Sequence, residues 1–111
     1  MRKKLSDPVE TFTVPQRWVV AIATAIVAAT RLLALARGPW DWDEMLFLLG
    51  LRDYDVALHH PHPPGFPLFM LAARSLVELG VEPFRALQAI NLAAAIAIVP
   101  AMMFLGRQLR L

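Results

Sequence analysis

The chain contains two long hydrophobic runs, separated by a stretch in which apolar and polar residues alternate in shorter groups. In residues 18–36 only Arg31 is ionisable, and in residues 84–106 only Arg85 is charged. A helix of about 20 apolar residues is long enough to cross the roughly 30 Å hydrocarbon layer of a bilayer. The pattern therefore predicts an all-α integral membrane protein with two transmembrane helices, at about 18–36 and 84–106.

Two shorter helices are predicted between the long ones. Residues 43–51 follow a group of acids, and either Asp41 or Asp43 is suited to cap the start of this helix. Residues 67–80 form the second short helix, which Gly80 is suited to end. At 14 residues it would span only about 21 Å, which is short for a membrane crossing.

The polar residues of the second short helix favour a position at the membrane surface. Arg74, Ser75 and Glu78 share one narrow face, because positions three and four apart are neighbours on a helix. The opposite face is apolar and would contact lipid or protein, so we expect both short helices to be interfacial. The alternative is that this helix crosses the bilayer, which would place Arg107 and Arg110 outside, against the usual bias of basic flanks.

Charge along the chain is strongly asymmetric, although its net value is only +2. Residues 1–17 and the far end are basic, whereas residues 38–66 carry five acids and one arginine. Since basic flanks stay in the cytoplasm, we expect a cytoplasmic tail at 1–17, both termini inside and residues 38–82 external. The same rule explains the basic ends without nucleic acid, and no aromatic residues interleave with these charges.

The first hydrophobic run also imitates a cleavable signal peptide. A basic start, an apolar run and the sequence Ala-Leu-Ala at 34–36 are typical of such leaders. Against this alternative, Arg31 interrupts the run and Arg37 would begin the mature chain. The sequence has no cysteine, so neither a disulfide nor a thiolate site is available.

Three acids, Asp41, Asp43 and Glu44, come soon after the first long run. A carboxylate held at a membrane surface can act as a general base toward a hydroxyl group, or it can bind a divalent cation through its oxygens. Taken alone, the group is more simply interpreted as a solvated turn that caps a helix and follows the charge rule.

The other polar group combines His59, His60 and His62 with three prolines. Imidazoles this close, with carboxylates nearby, permit a metal site, but their spacing matches no recognised zinc motif. Prolines exclude a helix here, and we expect them to hold the segment extended. These prolines are Pro61, Pro63 and Pro64.

The order of these motifs carries more information than any one of them. A membrane helix is followed by "DWDE" (41–44), then "HPPGFPLFMLAARSL" (62–76), then "PFRALQAINLAAAIAIVPAMMFLGRQL" (83–109). This order resembles the amino-terminal region of the GT-C class of membrane glycosyltransferases, over residues 17–111. Within that class it most resembles the branch of protein O-mannosyltransferases, aminoarabinose transferases and related bacterial enzymes.

The resemblance implies roles for the acidic group. Asp43, in the Asp-Glu pair of the first external loop, would be the catalytic base that deprotonates an acceptor hydroxyl. Glu44 would orient the acceptor or Asp43. Asp41 lies outside the usual pair and would serve as an alternative ligand for a metal or the acceptor. The candidate cofactor is a divalent cation, with Asp43 as its ligand.

The resemblance also implies a lipid-linked donor. His62, Pro63 and Pro64 would lie near the donor phosphate or shape its site, and the donor would be a sugar on a polyprenyl phosphate in a plasma membrane of the bacterial type. The leaving phosphate needs positive charge nearby. The candidate cations are Arg37, Arg52 and Arg74.

Enzymes of this class have many membrane helices, so the 111 residues are expected to be an incomplete region that is inactive alone. Two other functions stay open. A small two-helix membrane protein would bind partner helices through residues 93–95 and the polar side chains of Gln88 and Asn91. An external metal-binding module would use the acidic group together with the histidines.

Overall fold

A computed structural model describes residues 15–109, which form four α-helices and one short 3-10 helix. The helices are α1 (Gln16–Leu33), α2 (Trp42–Arg52), α3 (Pro67–Glu78) and α4 (Pro83–Gln108), with the 3-10 helix at Val56–Leu58. No β-strand occurs in these residues, so the predicted all-α class is confirmed for them. Most of the expected tail at 1–17, together with Arg110, lies outside the described residues.

Each predicted helix is present, and most ends differ from the prediction by at most two residues. The exception is the end of α1, which was expected at residue 36 and lies at Leu33. The carbonyl oxygen of Ala36 instead accepts hydrogen bonds from Arg85 Nη1 at 3.2 Å and Gln88 Nε2 at 2.8 Å. These bonds hold the segment after α1 against the start of α4.

The two long helices run antiparallel and are joined by hydrogen bonds near both ends. At one end, Arg107 Nε and Nη2 donate to Gln16 Oε1 at 3.1 and 2.8 Å. At the other end, the side chains of α4 reach Ala36. A membrane crossed by both helices therefore has residues 34–82 on one side. A third crossing by α3 would instead require α1 and α4 to run in the same direction.

The long helices leave most of their apolar surface uncovered. Both are long and apolar enough to span a membrane. A contiguous apolar surface of this size marks contact with lipid or with another protein. The fold therefore contains two candidate membrane-spanning helices. The large exposed side chains include Ile22, Ile26 and Leu33 on α1 and Ile98, Met102 and Phe104 on α4.

A small core joins α2 and α3 to the start of α4. Partly buried side chains from all three helices, among them Phe47, Phe69 and Ile90, pack around this core. Helices that are too short to be stable alone are thereby held against the end of the long hairpin. The buried core residues are Leu51, Met70, Ala73, Ala86 and Leu87.

Gly80 ends α3 as the sequence predicts. Its φ of +96° is a conformation that glycine adopts without strain. Gly80 N donates to Val77 O at 2.9 Å, and Val81 N donates to Leu76 O at 3.0 Å. These two bonds close the last turn of α3 and direct the chain into α4.

Glu82 caps the start of α4. Its carboxylate accepts hydrogen bonds from the backbone N–H groups of Phe84 at 3.0 Å and Arg85 at 2.9 Å. These bonds stabilise the charged form and hold the pKa of Glu82 below its ordinary value of 4.5.

The proline-containing segment between α2 and α3 is folded back on itself, so the expectation of an extended segment is wrong. Asp55 and His60 exchange backbone hydrogen bonds of 3.0 and 2.8 Å. Pro61 then lies fully buried against Gly50 of α2. Among the prolines themselves, Gly65 N donates to His62 O at 3.0 Å and closes a turn. This turn and the contact of Pro61 with α2 override the extended preference of the prolines.

Candidate functional site

A cavity of about 470 Å³ opens at the end of the helical hairpin where α2, α3 and α4 meet. The start of α2 supplies its acidic wall, the start of α3 supplies aromatic side chains, and the first turns of α4 close the other side. All three predicted acids thus reach one cavity. The lining residues are Asp41, Asp43, Glu44, Phe47, Phe66, Phe69, Phe84, Leu87, Gln88 and Asn91.

Two of the three acids hold the start of α2. Asp41 is the N-cap, and its Oδ1 accepts hydrogen bonds from the backbone N–H groups of Asp43 at 2.8 Å and Glu44 at 3.2 Å. The Glu44 carboxylate reaches back to accept from the backbone N–H of Trp40. This reciprocal capping satisfies N–H groups that have no partner within the helix. Of the two caps that the sequence allowed, the structure selects Asp41.

Asp43 is the acid that remains available. Its carboxylate accepts no hydrogen bond from any residue that the structure describes, and its side chain is 66% exposed. It lies in the first turn of α2, where the helix dipole favours negative charge. Its nearest basic atom is Nδ1 of His62, at 3.9 Å from Oδ1. An ionised carboxylate without a structural bond is chemically free to accept a proton.

His62 lies next to Asp43 but does not line the cavity. Its ring packs edge-on against Phe47 and Phe66, with centroids 5.5 and 5.7 Å apart. Pro63 and Pro64 are exposed in the turn that follows. Of these three predicted site residues, the structure therefore places only His62 beside the acidic group. Pro63 and Pro64 form part of the turn that leads into α3.

The histidines do not converge on one point. His60 Nδ1 faces Asp53 Oδ2 at 3.9 Å, whereas His62 faces Asp43. Within residues 15–109, no group of three His, Asp or Glu residues is placed to hold a metal ion. The geometry gives no support to the metal-binding module.

The predicted cations lie away from this cavity, since none of the three arginines lines it. Arg52 ends α2, and Arg74 lines a smaller cavity of about 220 Å³, where its Nε is 3.5 Å from Glu78. Arg37 is exposed after α1.

Arg85, which was not among the cations predicted from the sequence, does not line the cavity either, but it is bonded to a residue that does. It donates to Gln88 Oε1 at 2.6 Å, and Gln88 lines the cavity. The spacing of Arg85 and Gln88, three apart at the start of a helix, was the available signal, because it places them on one face.

Comparison with known proteins adds no relative: the chain matches no family model, no curated protein and no solved structure. The resemblance to GT-C glycosyltransferases stays a prediction that depends on the order of the sequence motifs.

Proposed function

We propose that residues 18–111 form a region of a GT-C-like membrane glycosyltransferase. This region lies in a plasma membrane of the bacterial type with both ends in the cytoplasm, and residues 38–82 face outside. It takes part in transferring a sugar from a polyprenyl-phosphate donor to an acceptor hydroxyl. Further helices around the donor come from the rest of the enzyme or from partner helices.

The observation that carries the proposal is the difference among the three cavity acids. Asp41 and Glu44 accept backbone hydrogen bonds, whereas Asp43 accepts none in the described part of the chain. A general base needs a carboxylate that can reach substrate without giving up a structural bond. Asp43 meets this requirement and is therefore assigned as the base.

The chemistry at Asp43 is proton removal during displacement. Its carboxylate takes the proton of the acceptor hydroxyl while that oxygen forms a bond to the anomeric carbon. The bond from this carbon to the phosphate oxygen breaks, and polyprenyl phosphate leaves with the electron pair. Glu44 and Asp41 keep the first turn of α2 rigid, so that the Asp43 backbone is fixed relative to the cavity.

The walls of the cavity suit a sugar. Aromatic rings of Phe47, Phe66 and Phe69 offer apolar surfaces, and the side-chain amides of Gln88 and Asn91 offer donors and acceptors for hydroxyl groups. Arg85, bonded to Gln88, is the nearest arginine on α4 for a leaving phosphate.

The position of the cavity suits a donor with a lipid chain. It lies at the end of a hairpin whose apolar helices are uncovered, so a bilayer around the hairpin would bring lipid headgroups to the level of α2 and α3. A polyprenyl chain would remain in the hydrocarbon while its sugar reaches Asp43.

The test measures sugar transfer in membranes isolated from cells that produce this protein at its natural level. Undecaprenyl phosphate carrying a radiolabelled hexose or pentose serves as the probe. Changing Asp43→Asn in the gene should reduce transfer about 100-fold or more, with the amount of membrane-bound protein unchanged. Asp53→Asn is the matched control, because Asp53 is exposed outside the cavity. Unchanged transfer in Asp43→Asn membranes would refute the assignment.

One observation favours a second function, the binding of partner helices. Ala93 and Ala94 are exposed on α4, and small side chains allow close approach of another membrane helix. A stable complex that persists after Asp43→Asn, in membranes without sugar transfer, would favour this non-catalytic role.

A further inference from the structure

His62 contains a polar atom that the proposed reaction does not yet use. Its Nδ1 is buried and has no hydrogen-bond partner among the described residues. A buried nitrogen without a hydrogen-bond partner destabilises the fold, because its hydrogen bond to water has been lost and no bond within the protein replaces it. The acidic atom that faces it is Asp43 Oδ1, at 3.9 Å.

The surroundings of His62 fix its ring more firmly than those of Asp43 fix the carboxylate. Phe47 and Phe66 contact the ring edge-on, whereas the Asp43 side chain is largely exposed. A charge-assisted hydrogen bond has a length of about 2.8 Å, so an approach of about 1 Å by Asp43 completes it. Such bonds are often long in a site without substrate and shorten when substrate binds.

We propose that His62 is a positioning residue for Asp43. Nδ1–H donates to one carboxylate oxygen, which leaves the other oxygen directed at the acceptor hydroxyl in the cavity. This inference depends on the proposed function, since it gives Asp43 an orientation for that reaction. It also gives His62 a different role from the contact with the donor phosphate that the family resemblance implies.

The chain contains a matched pair outside the cavity. His60 Nδ1 is also buried and has no hydrogen-bond partner in the part of the chain that the structure describes, and it lies at the same 3.9 Å from a carboxylate oxygen, that of Asp53. Asp53 does not line the cavity. This second pair reports how an equivalent contact behaves when no chemistry depends on it.

The first experiment reads the protonated nitrogen of each histidine directly. The full chain, labelled with ¹⁵N-histidine and held in detergent micelles, is studied by two-bond proton–nitrogen correlation at mildly alkaline pH. We expect His62 to carry its proton on Nδ1. Asp43→Ala should move that proton to Nε2, whereas Asp43→Asn, which keeps an acceptor oxygen, should not. Asp53→Ala should affect His60 alone.

A His62 proton on Nε2 in the unmodified chain would overturn the proposal. His62 signals that are unchanged by the Asp43→Ala substitution would overturn it as well. Circular dichroism of each variant shows whether the helices are retained. If Asp43→Ala loses helix, the position of the His62 proton in the unmodified chain is the deciding readout.

The second experiment uses two substitutions that imitate opposite nitrogens of the ring. Asparagine places its amide near the position of Nδ1, and glutamine places it near Nε2. In the membrane assay with the radiolabelled undecaprenyl phosphate sugar, His62→Gln should lower kcat about tenfold with little change in KM. His62→Asn should retain most activity.

The two experiments separate failure of this inference from failure of the proposed function. Equal losses in His62→Asn and His62→Gln, or a loss confined to KM, would overturn the positioning role while Asp43 remains the base. Transfer that is insensitive to Asp43→Asn would refute the proposed function, whatever the histidine spectra show.

Discussion

Replacing Gly50 by alanine should destabilise the fold, although alanine is the better helix former. Gly50 lies inside α2, where Pro61 packs against it. A Cβ added at this position would be 2.8 Å from both Cδ and N of Pro61 and 2.9 Å from the carbonyl carbon of His60. Favourable contacts between heavy atoms begin at roughly 3.5 Å. The substitution therefore tests whether the loop that carries His62 is seated on α2.

The size of the effect follows from two opposing terms. Alanine in a helix interior gains up to about 1 kcal/mol over glycine. Overpacking a close contact costs about 1–3 kcal/mol. The contacted atoms belong to backbone and to the ring of Pro61, which is fully buried, so no flexible side chain can withdraw. We expect a net loss of up to about 2 kcal/mol in the free energy of unfolding, because the contacted atoms place the cost toward the upper end of its range.

The assay is unfolding of the full chain in detergent micelles, followed by far-ultraviolet circular dichroism. Gly106→Ala is the control, because Gly106 also lies in a helix, but no atom of residues 15–109 lies within 4 Å of the added Cβ. The control should be neutral or slightly stabilising. If Gly50→Ala is as stable as the control, Pro61 does not contact α2, and the placement of His62 beside Asp43 would be wrong.

Two further predictions concern the cap of α4 and the position of the chain in a bilayer. The pKa of Glu82 is lowered in the folded chain, so the contribution of this cap to the free energy of unfolding is complete above pH 4.5 and is lost as pH falls through the lowered pKa. Unfolding measured as a function of pH should show this loss, and the Glu82→Gln substitution should remove this pH dependence. Trp18 lies near one end of α1, and the exposed Trp40 and Trp42 follow its other end. Tryptophan favours the membrane interface, so lipids brominated near the headgroup should quench each single-tryptophan variant more than lipids brominated at the chain end.

Each of these two predictions has a clear opposite result. A pH dependence that survives unchanged in Glu82→Gln would show that the cap does not contribute to it. Deep quenching of Trp40 or Trp42 would place α2 inside the hydrocarbon and contradict an external segment at the membrane surface.

The helices could be predicted because their signals are local. Two apolar runs of sufficient length, the glycine after α3 and the acids before α2 each depend on neighbouring residues only. The same locality explains the error at the end of α1. The sequence of residues 34–36 is compatible with helix, and it is the side chains of Arg85 and Gln88, about 50 positions away, that bind the Ala36 carbonyl.

The sequence predicts which residues belong to the candidate site, but not how they are arranged or which of them caps α2. Nothing in the sequence distinguishes Asp41 from Asp43 as the cap, because both precede an apolar helix and both residues suit the position. The distinction depends on which carboxylate meets the backbone N–H groups of the first turn. The approach of His62 to Asp43 depends on the folded segment before α3, and the prolines of that segment suggested an extended chain instead.

The central claim is that Asp43 is the base of a sugar transfer at the membrane surface, and one measurement tests it most directly. Transfer of radiolabelled sugar from undecaprenyl phosphate is compared, per copy of membrane-bound protein, between the unmodified gene, Asp43→Asn and Asp53→Asn. We expect sugar transfer to fall about 100-fold or more in Asp43→Asn membranes and to be unchanged in Asp53→Asn membranes. Equal transfer in all three membranes would contradict it.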